Sequence, residues 1–448
     1  MTRASRPVFV EGPLLGHVLR MTVAGAVGLM AIFLVDLLSL LYVSRLGEAQ
    51  LTAAVGFATQ ILFVTVSVNI GLSIAVTALV SRALGAGDRE RARRLAASGL
   101  THVALASSLV VVVLWFARDA FLARIGAEGE VLAVASRYLA VTLPANVMLG
   151  LGMALSGVLR AVGDARRAMY VTLSGALVTA ILDPILIFGL GLGAQGAAIA
   201  TVFARLALVL VGWRGAQGVH RLVAPPAIAA ARADSRAIWA VAGPAILTNL
   251  ATPVATTWIM SVFAGFGAGA VAAFAIMDRV IALAYGPVFA LSGSVGAILG
   301  QNLGAGKIAR VGETMSLCFR LAAGHALAMW AALWLGAPWI ARAFAAPPEA
   351  AALIPPFALW SGAGWVFVSL LFVANASFNN LGFPLLSTAF NWGRALIGVV
   401  PFVTLGGKLG GPQGAIAGVA FGSALFGAGA WAATGWVLRR LAKRRDAP

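Results

Sequence analysis

The stretch "SRALGAGDRERAR" (Ser81 to Arg93) has an echo far along the chain, "GQNLGAGKIARV" (Gly300 to Val311). Gly85-Ala86-Gly87 returns as Gly304-Ala305-Gly306, 219 residues on. "AQGAAIATVFA" from Ala194 returns as "PQGAIAGVAFG" from Pro412 at an offset of 218, and "RLGEAQLTAAVGFA" from Arg45 aligns with "GFGAGAVAAFAIM" from Gly265 at an offset of 220. Three pairs at nearly one spacing mean that the chain is built twice. Each copy ends a long apolar run with a glycine turn followed by basic residues. That is the pattern of a glycine C-cap at a membrane surface. It is not a phosphate cradle, because no strand precedes the turn and no GK[ST] follows it.

The runs around these turns decide the class. The 448 residues are 61% hydrophobic and 10% charged, with mean hydropathy +0.95. Soluble domains are about half apolar and about a quarter charged. Runs long enough to cross a bilayer fall at 14–44, 51–80, 92–117, 131–159, 166–190, 194–216, 236–263, 270–300, 310–336, 350–378, 384–406 and 411–438. The expected fold is an all-α integral membrane protein of about twelve transmembrane helices. An even number per repeat predicts two six-helix lobes related by a pseudo-twofold axis along the membrane normal. The expected divisions are a cytoplasmic tail at 1–13, an N-lobe at 14–216, a cytoplasmic linker at 217–235, a C-lobe at 236–438 and a basic tail at 439–448.

The net charge of +17 invites a nucleic-acid reading, but the basic residues sit in short gaps between apolar runs, so no basic domain exists to dock. Most of them, Arg82, Arg89, Arg91, Arg93, Arg94, Arg160, Arg166, Arg167, Arg394 and Arg439 included, fall on one side. The other side holds Arg45, Arg118, Arg124, Arg137, Arg342 and Lys408. Positive-inside bias places both termini in the cytoplasm and the protein in the plasma (inner) membrane. The start of the chain lacks the pattern of a cleaved signal peptide. A single cysteine, Cys318, reads as apolar filler. The four histidines are dispersed and no acidic cluster occurs, which argues against a membrane-embedded enzyme.

Acidic residues inside the spans are few. Asp36 lies roughly 16 Å and Asp183 roughly 12 Å below the outer surface at about 1.5 Å per residue. Thr179 is one turn from Asp183 on the same face. Thr201 and Asn146 reach a similar depth, so five polar side chains from helices 1, 4, 5 and 6 are expected to share one layer. Carboxylates there cost several kcal/mol unless paired, hydrated or protonated. Two close together titrate as a unit and can hold a proton or, with hydroxyl and backbone oxygens, a hard cation such as Na⁺ at Asp36, Asp183 and Thr201. Pro184 loosens the local helix and can free a carbonyl. The alternative is a helix break at Asp183-Pro184 with Asp36 capping a backbone group. The second repeat lacks the pair, with Ala255 and Phe402 at the matching positions. Asp278 either contacts a cationic substrate or balances a basic group. Met153, Trp258, Met260 and Phe263 are candidate walls of a substrate chamber.

In order and spacing, "FLVDLLSLLYVSRLGEAQLTAAVGFA" (Phe33 to Ala58), "LSGVLRAVGDARRAM" (Leu155 to Met169), "LDPILIFGLGLGAQGAAIAT" and "AAFAIMDRVIALAYGPVFAL" join the two glycine turns in a pattern that resembles the multidrug and toxic compound extrusion (MATE) transporters, their DinF-like branch in particular. The resemblance implies a two-lobed antiporter that exports amphipathic, in part cationic, compounds by alternating access on an H⁺ or Na⁺ gradient. It implies a cation site of Asp36, Thr179, Asp183, the Ala197 carbonyl and Thr201, where family members usually carry asparagine at the Thr179 position. No cofactor is expected beyond the coupling ion. The expected partners are small-molecule substrates and the lipid bilayer, with the protein a monomer and no enzyme. The runner-up is a flippase for a lipid-linked precursor.

Overall fold

The computed structural model describes residues 8–44 and 49–445; the side chains at 36, 37, 40, 41, 43, 44, 49–52, 444 and 445 lie outside that description. The described residues hold helices α1 (Leu14–Ser44), α2 (Ala49–Gly85), α3 (Arg89–Arg124), α4 (Gly129–Val162), α5 (Ala165–Gly189), α6 (Gly193–Val219), α7 (Ile228–Ala264), α8 (Ala268–Ala284 and Gly286–Gly304, bent by 45°), α9 (Ile308–Ala343) and α10 (Pro348–Leu381). A sixty-residue helical stretch, Pro384–Lys443, follows. At about 1.5 Å per residue it is roughly three bilayers long, and non-helical Gly410 and Gly411 interrupt it. It is therefore two spans, α11 (384–409) and α12 (412–445). Twelve spans in two six-helix lobes result, and the predicted windows match them one for one.

The internal repeat is written in the helix ends. Gly87 and Gly306 are left-handed (φ 79° and 69°), as are Gly163 and Gly382 (φ 89° and 92°). In all four turns the next amide reaches back five residues: Asp88 to Ala83 (3.0 Å), Lys307 to Asn302 (2.9 Å), Asp164 to Leu159 (2.9 Å) and Phe383 to Phe378 (2.9 Å). Only glycine adopts such a φ without strain, and the back-bond satisfies a carbonyl the helix end would orphan. The sequence-level C-cap reading of the two GAG turns is this geometry.

Two compact units emerge. The first comprises residues 1–11 and 27–246, the second 12–26 and 247–448. The division runs through α1 and α7 at matching positions, 220 residues apart. The expected lobes, 14–216 and 236–438, follow whole helices, because hydropathy marks where a helix crosses and not which neighbours flank each half. The stretch expected as the linker, 217–235, is packed against the first unit. Helix α7 begins at Ile228, since "IAAARADSRA" is rich in strong helix formers. Before it, Leu222 and Val223 are buried in the first unit's core, and the Ala224 amide donates to the Arg93 carbonyl (3.3 Å). Asp234 accepts from Ser98 (2.8 Å) and pairs with Arg94 (3.2 Å).

Asp164 ties the same strap down. It caps α5 by accepting from the Arg167 amide (3.0 Å), and its carboxylate also meets the Arg167 guanidinium (2.6 Å) and His220 Nε2 (2.8 Å). Burial pushes this carboxyl up, but the hydrogen bonds from His220 and Arg167 outweigh it and hold the group well below the usual carboxylate range. A depressed folded value means that the stabilisation is complete above about pH 4, the unfolded value, and fades as pH falls below it. Asp164→Asn is expected to lower stability by about 1 kcal/mol near pH 5. That deficit should shrink by about pH 3, which melting curves of both proteins in detergent would show.

Inside each unit, small residues let backbones touch. A Cβ on Gly196 would strike the Leu186 backbone of α5, and one on Gly28 of α1 would strike Thr172 of α5. In the second unit Gly414, Gly418 and Gly422, four residues apart on α12, lie against the carbonyls of Gly406, Phe402 and Gly398 on α11. Bilayers supply no hydrophobic drive between helices, so contact of this kind supplies the association.

Two further departures bear on the site. The expected single helix over 270–300 breaks at Tyr285, where Gly286 and Pro287 follow, because proline removes a helix bond and clashes with the preceding turn. Arg394, grouped above with the cytoplasmic loop charges, is ten residues inside α11 at the start of a π-helical turn, Arg394–Val399.

Candidate cation site

Helix α5 delivers Asp183 to the interior of the first unit, where it is 1% exposed. Pro184 follows, and the backbone widens into a π-turn over Ile185–Gly189. Proline cannot donate the normal helical bond, and wide turns of this kind often mark functional sites. Ser39 of α1 donates its hydroxyl to Asp183 Oδ2. The other carboxylate oxygen, Oδ1, is buried with no hydrogen-bond partner among the described residues. An orphaned carboxylate oxygen away from water is costly, and a proton or a hard cation would relieve it.

Around this group the sequence-predicted residues divide. Thr179 donates its hydroxyl to the Gly175 carbonyl (3.1 Å), and Thr201 donates to the Ala197 carbonyl (2.9 Å). Each is satisfied by its own helix, and neither is bonded to Asp183. Ala197 is buried beside Ile187, with Tyr42, Val55 and Tyr138 packed on them. Its carbonyl takes the Thr201 hydroxyl as well as the amide one turn on in α6, so both of its lone pairs are in use. The Asp36 side chain lies outside the described residues. Ser39, which sequence reasoning missed, was within reach of it: three residues past Asp36 is the same helix face.

Asn146 lies on α4 at 0% exposure, and neither of its side-chain amide atoms has a hydrogen-bond partner among the described residues. Pro144, two residues earlier, has no amide to give the Ala140 carbonyl, and Trp115 Nε1 supplies that bond instead (3.2 Å). The Asn146 carbonyl accepts from Asn69 Nδ2 (2.9 Å), and Ser107 donates to Asn69 Oδ1 (2.5 Å). Arg205 donates to the Thr142 carbonyl (2.7 Å). At Asp183 itself, the unpartnered carboxylate oxygen beside the Ser39 hydroxyl suits a proton or an alkali cation.

The remaining candidates lie elsewhere. Met153 is half-buried, and its carbonyl accepts from Ser73 (3.0 Å). Asp278, Trp258, Met260 and Phe263 all belong to the second unit. Asp278 and Arg279 are exposed. Trp258 is exposed and donates to Thr404 (3.1 Å), and Met260 is half-buried. Phe263 is a correction: at 0% exposure it stacks on Phe274 and meets Phe357 edge-on, so it is core and not a chamber wall. Sequence cannot separate these cases, because an aromatic residue on a membrane helix reads the same facing core, lipid or cavity.

A twice-built bundle of membrane spans with a buried carboxylate inside it is an architecture that carriers use. The sequence pattern of the MatE family matches the chain twice, over residues 25–185 and 244–404, again 219 residues apart. The chain belongs to that family, the MATE transporters. It is 27% identical over 415 residues to the FAD transporter of Shewanella oneidensis, covering 90% of this chain and 91% of that protein. The multidrug export protein MepA of Staphylococcus aureus is 26% identical over 203 residues, 45% of each chain. A mutant of the Vibrio cholerae MATE transporter VcmN superposes with a TM-score of 0.90 at 25% identity, covering 95% of this chain and 97% of that one.

Proposed function

We propose that the protein is an H⁺- or Na⁺-coupled antiporter of the DinF-like branch that exports amphipathic, in part cationic, compounds across the plasma membrane by alternating access. It works as a monomer, with both termini cytoplasmic and no cofactor beyond the coupling ion. The observation that carries this reading is Asp183: buried, held on one oxygen by Ser39 and unpartnered on the other. We take Asp36, three residues before Ser39 in the sequence, as the second carboxylate of a site whose charge changes when a cation enters. Neutralising buried carboxylates shifts the balance between two helix arrangements. Cation entry on one side and substrate entry on the other then drive opposite changes.

The name of the Shewanella relative widens the substrate class to nucleotide-bearing aromatics. The coupling is tested in inverted vesicles holding an imposed proton gradient, with the wild type or Asp36→Asn. Substrate dye or Na⁺ should release protons in the wild type alone; equal traces would sink the coupling role. In the same assay Ser39→Ala is expected to weaken cation dependence about tenfold, the value of one hydrogen bond to a charged group. An unchanged Na⁺ or H⁺ dependence would remove Ser39 from the site.

A further inference from the structure

Arg394 is a charged side chain without a partner among the described residues. It stands roughly 15 Å along α11 from Pro384, half the thickness of the hydrocarbon layer. Its side chain is half-buried, and Nε is buried with no hydrogen bond. None of the ion pairs among the described residues includes it. The sequence offers little to pair with: α11 and α12 contain no Asp or Glu, and the second unit's only acids are Asp278, Glu313, Glu349 and Asp446. A guanidinium does not neutralise itself by losing a proton. An unpaired charge at this depth is costly and marks function by default, and the π-turn that begins at Arg394 is a second sign of it.

The surroundings say what it would hold. Asn391, one turn before Arg394, donates to Asn375 Oδ1 of α10 (2.9 Å). One turn before Asn375 on that helix is Phe372, and seven residues earlier is Trp365, on the same face by helical spacing. The two rings are stacked (centroids 6.3 Å apart, interplanar angle 13°), and Phe289 of α8 meets both edge-on (4.9 and 5.8 Å). All three rings are half-buried. The bond between Asn391 and Asn375 thus joins a half-open aromatic wall to the face that carries the lone guanidinium.

We propose that Arg394 binds the acidic group, phosphate or carboxylate, of a transported substrate whose planar aromatic part lies on the Phe289–Trp365–Phe372 wall. This rests on the export reading above and names a substrate class for it: flat aromatic anions beside the cationic compounds. Guanidinium matches phosphate and carboxylate in a two-pronged geometry, and aromatic faces add stacking.

The test uses purified full-length protein and a matched pair of fluorescent probes, riboflavin 5′-phosphate and riboflavin, which differ only in the phosphate. The wild type should bind the phosphate form at least about tenfold more tightly, as a charge-assisted bond predicts. Arg394→Gln should erase that preference and leave riboflavin binding intact, while Arg394→Lys should keep part of it. No preference in the wild type, or a preference that survives Arg394→Gln, would overturn the proposal. So would displacement of the probe by phosphatidylglycerol, which would assign the guanidinium to a lipid headgroup. Efflux of a cationic dye from proteoliposomes is the separate reading. A wild type that moves no dye yet prefers the phosphate would fail the export reading and keep the anion site. Dye export without the preference would do the reverse.

Discussion

Gly422→Leu is expected to prevent the second lobe from assembling, and Gly422→Ala to destabilise it by at least about 2 kcal/mol, toward the upper range for overpacked cores. The first atom of any side chain there would land on the Gly398 carbonyl, with no flexible neighbour able to yield. Gly418 meets Phe402 and Gly414 meets Gly406 in the same way, so the strain cannot be relieved by sliding α12 along α11. The built-in control is Gly435→Ala on α12, where nothing lies within 4 Å. That change should be neutral or stabilising by about 0.5–1 kcal/mol, because alanine is the better helix former. Melting temperature and monodispersity in detergent would report both. Equal tolerance of the two alanines would refute the backbone contact.

Asp183→Asn should cut cation-coupled flux by at least about a hundredfold, the upper end of what losing even an outer partner costs a cation site. Asparagine keeps the shape and an acceptor for Ser39, so the fold is retained. Removing an uncompensated buried charge should leave stability equal or higher. A coupling loss together with an undiminished melting temperature is therefore the signature. A mutant that couples normally would return Asp183 to the role of helix breaker. Thr179→Val serves as the comparison, since its hydroxyl is spent on Gly175 in the same helix; its effect should be about tenfold or less, one hydrogen bond's worth.

The twelve spans and the repeat were legible in the sequence because both are carried by local signals. A run of apolar residues must cross a bilayer wherever it lies, and a glycine turn caps a helix through its own backbone. Hence Gly87 and Gly306, found as letters, return as matching left-handed turns. Asp183 was legible for a similar reason: a lone acid in an apolar run is expensive whatever surrounds it.

What needed the tertiary structure was every question of neighbours. That Ser39 holds Asp183, that Thr179 and Thr201 turn back on their own helices, and that Phe263 is core while Trp258 is exposed depend on how each helix is rotated. Helix rotation is set by contacts on other helices, here by glycine-to-backbone contacts whose partners lie elsewhere in the chain. Arg394 shows the limit most plainly. As a letter it was one more positive charge near a loop. Only the start of α11 at Pro384 and the lack of any carboxylate beside it among the described residues made it a half-buried, unpaired guanidinium, because burial and pairing belong to the assembled lobe and not to the residue.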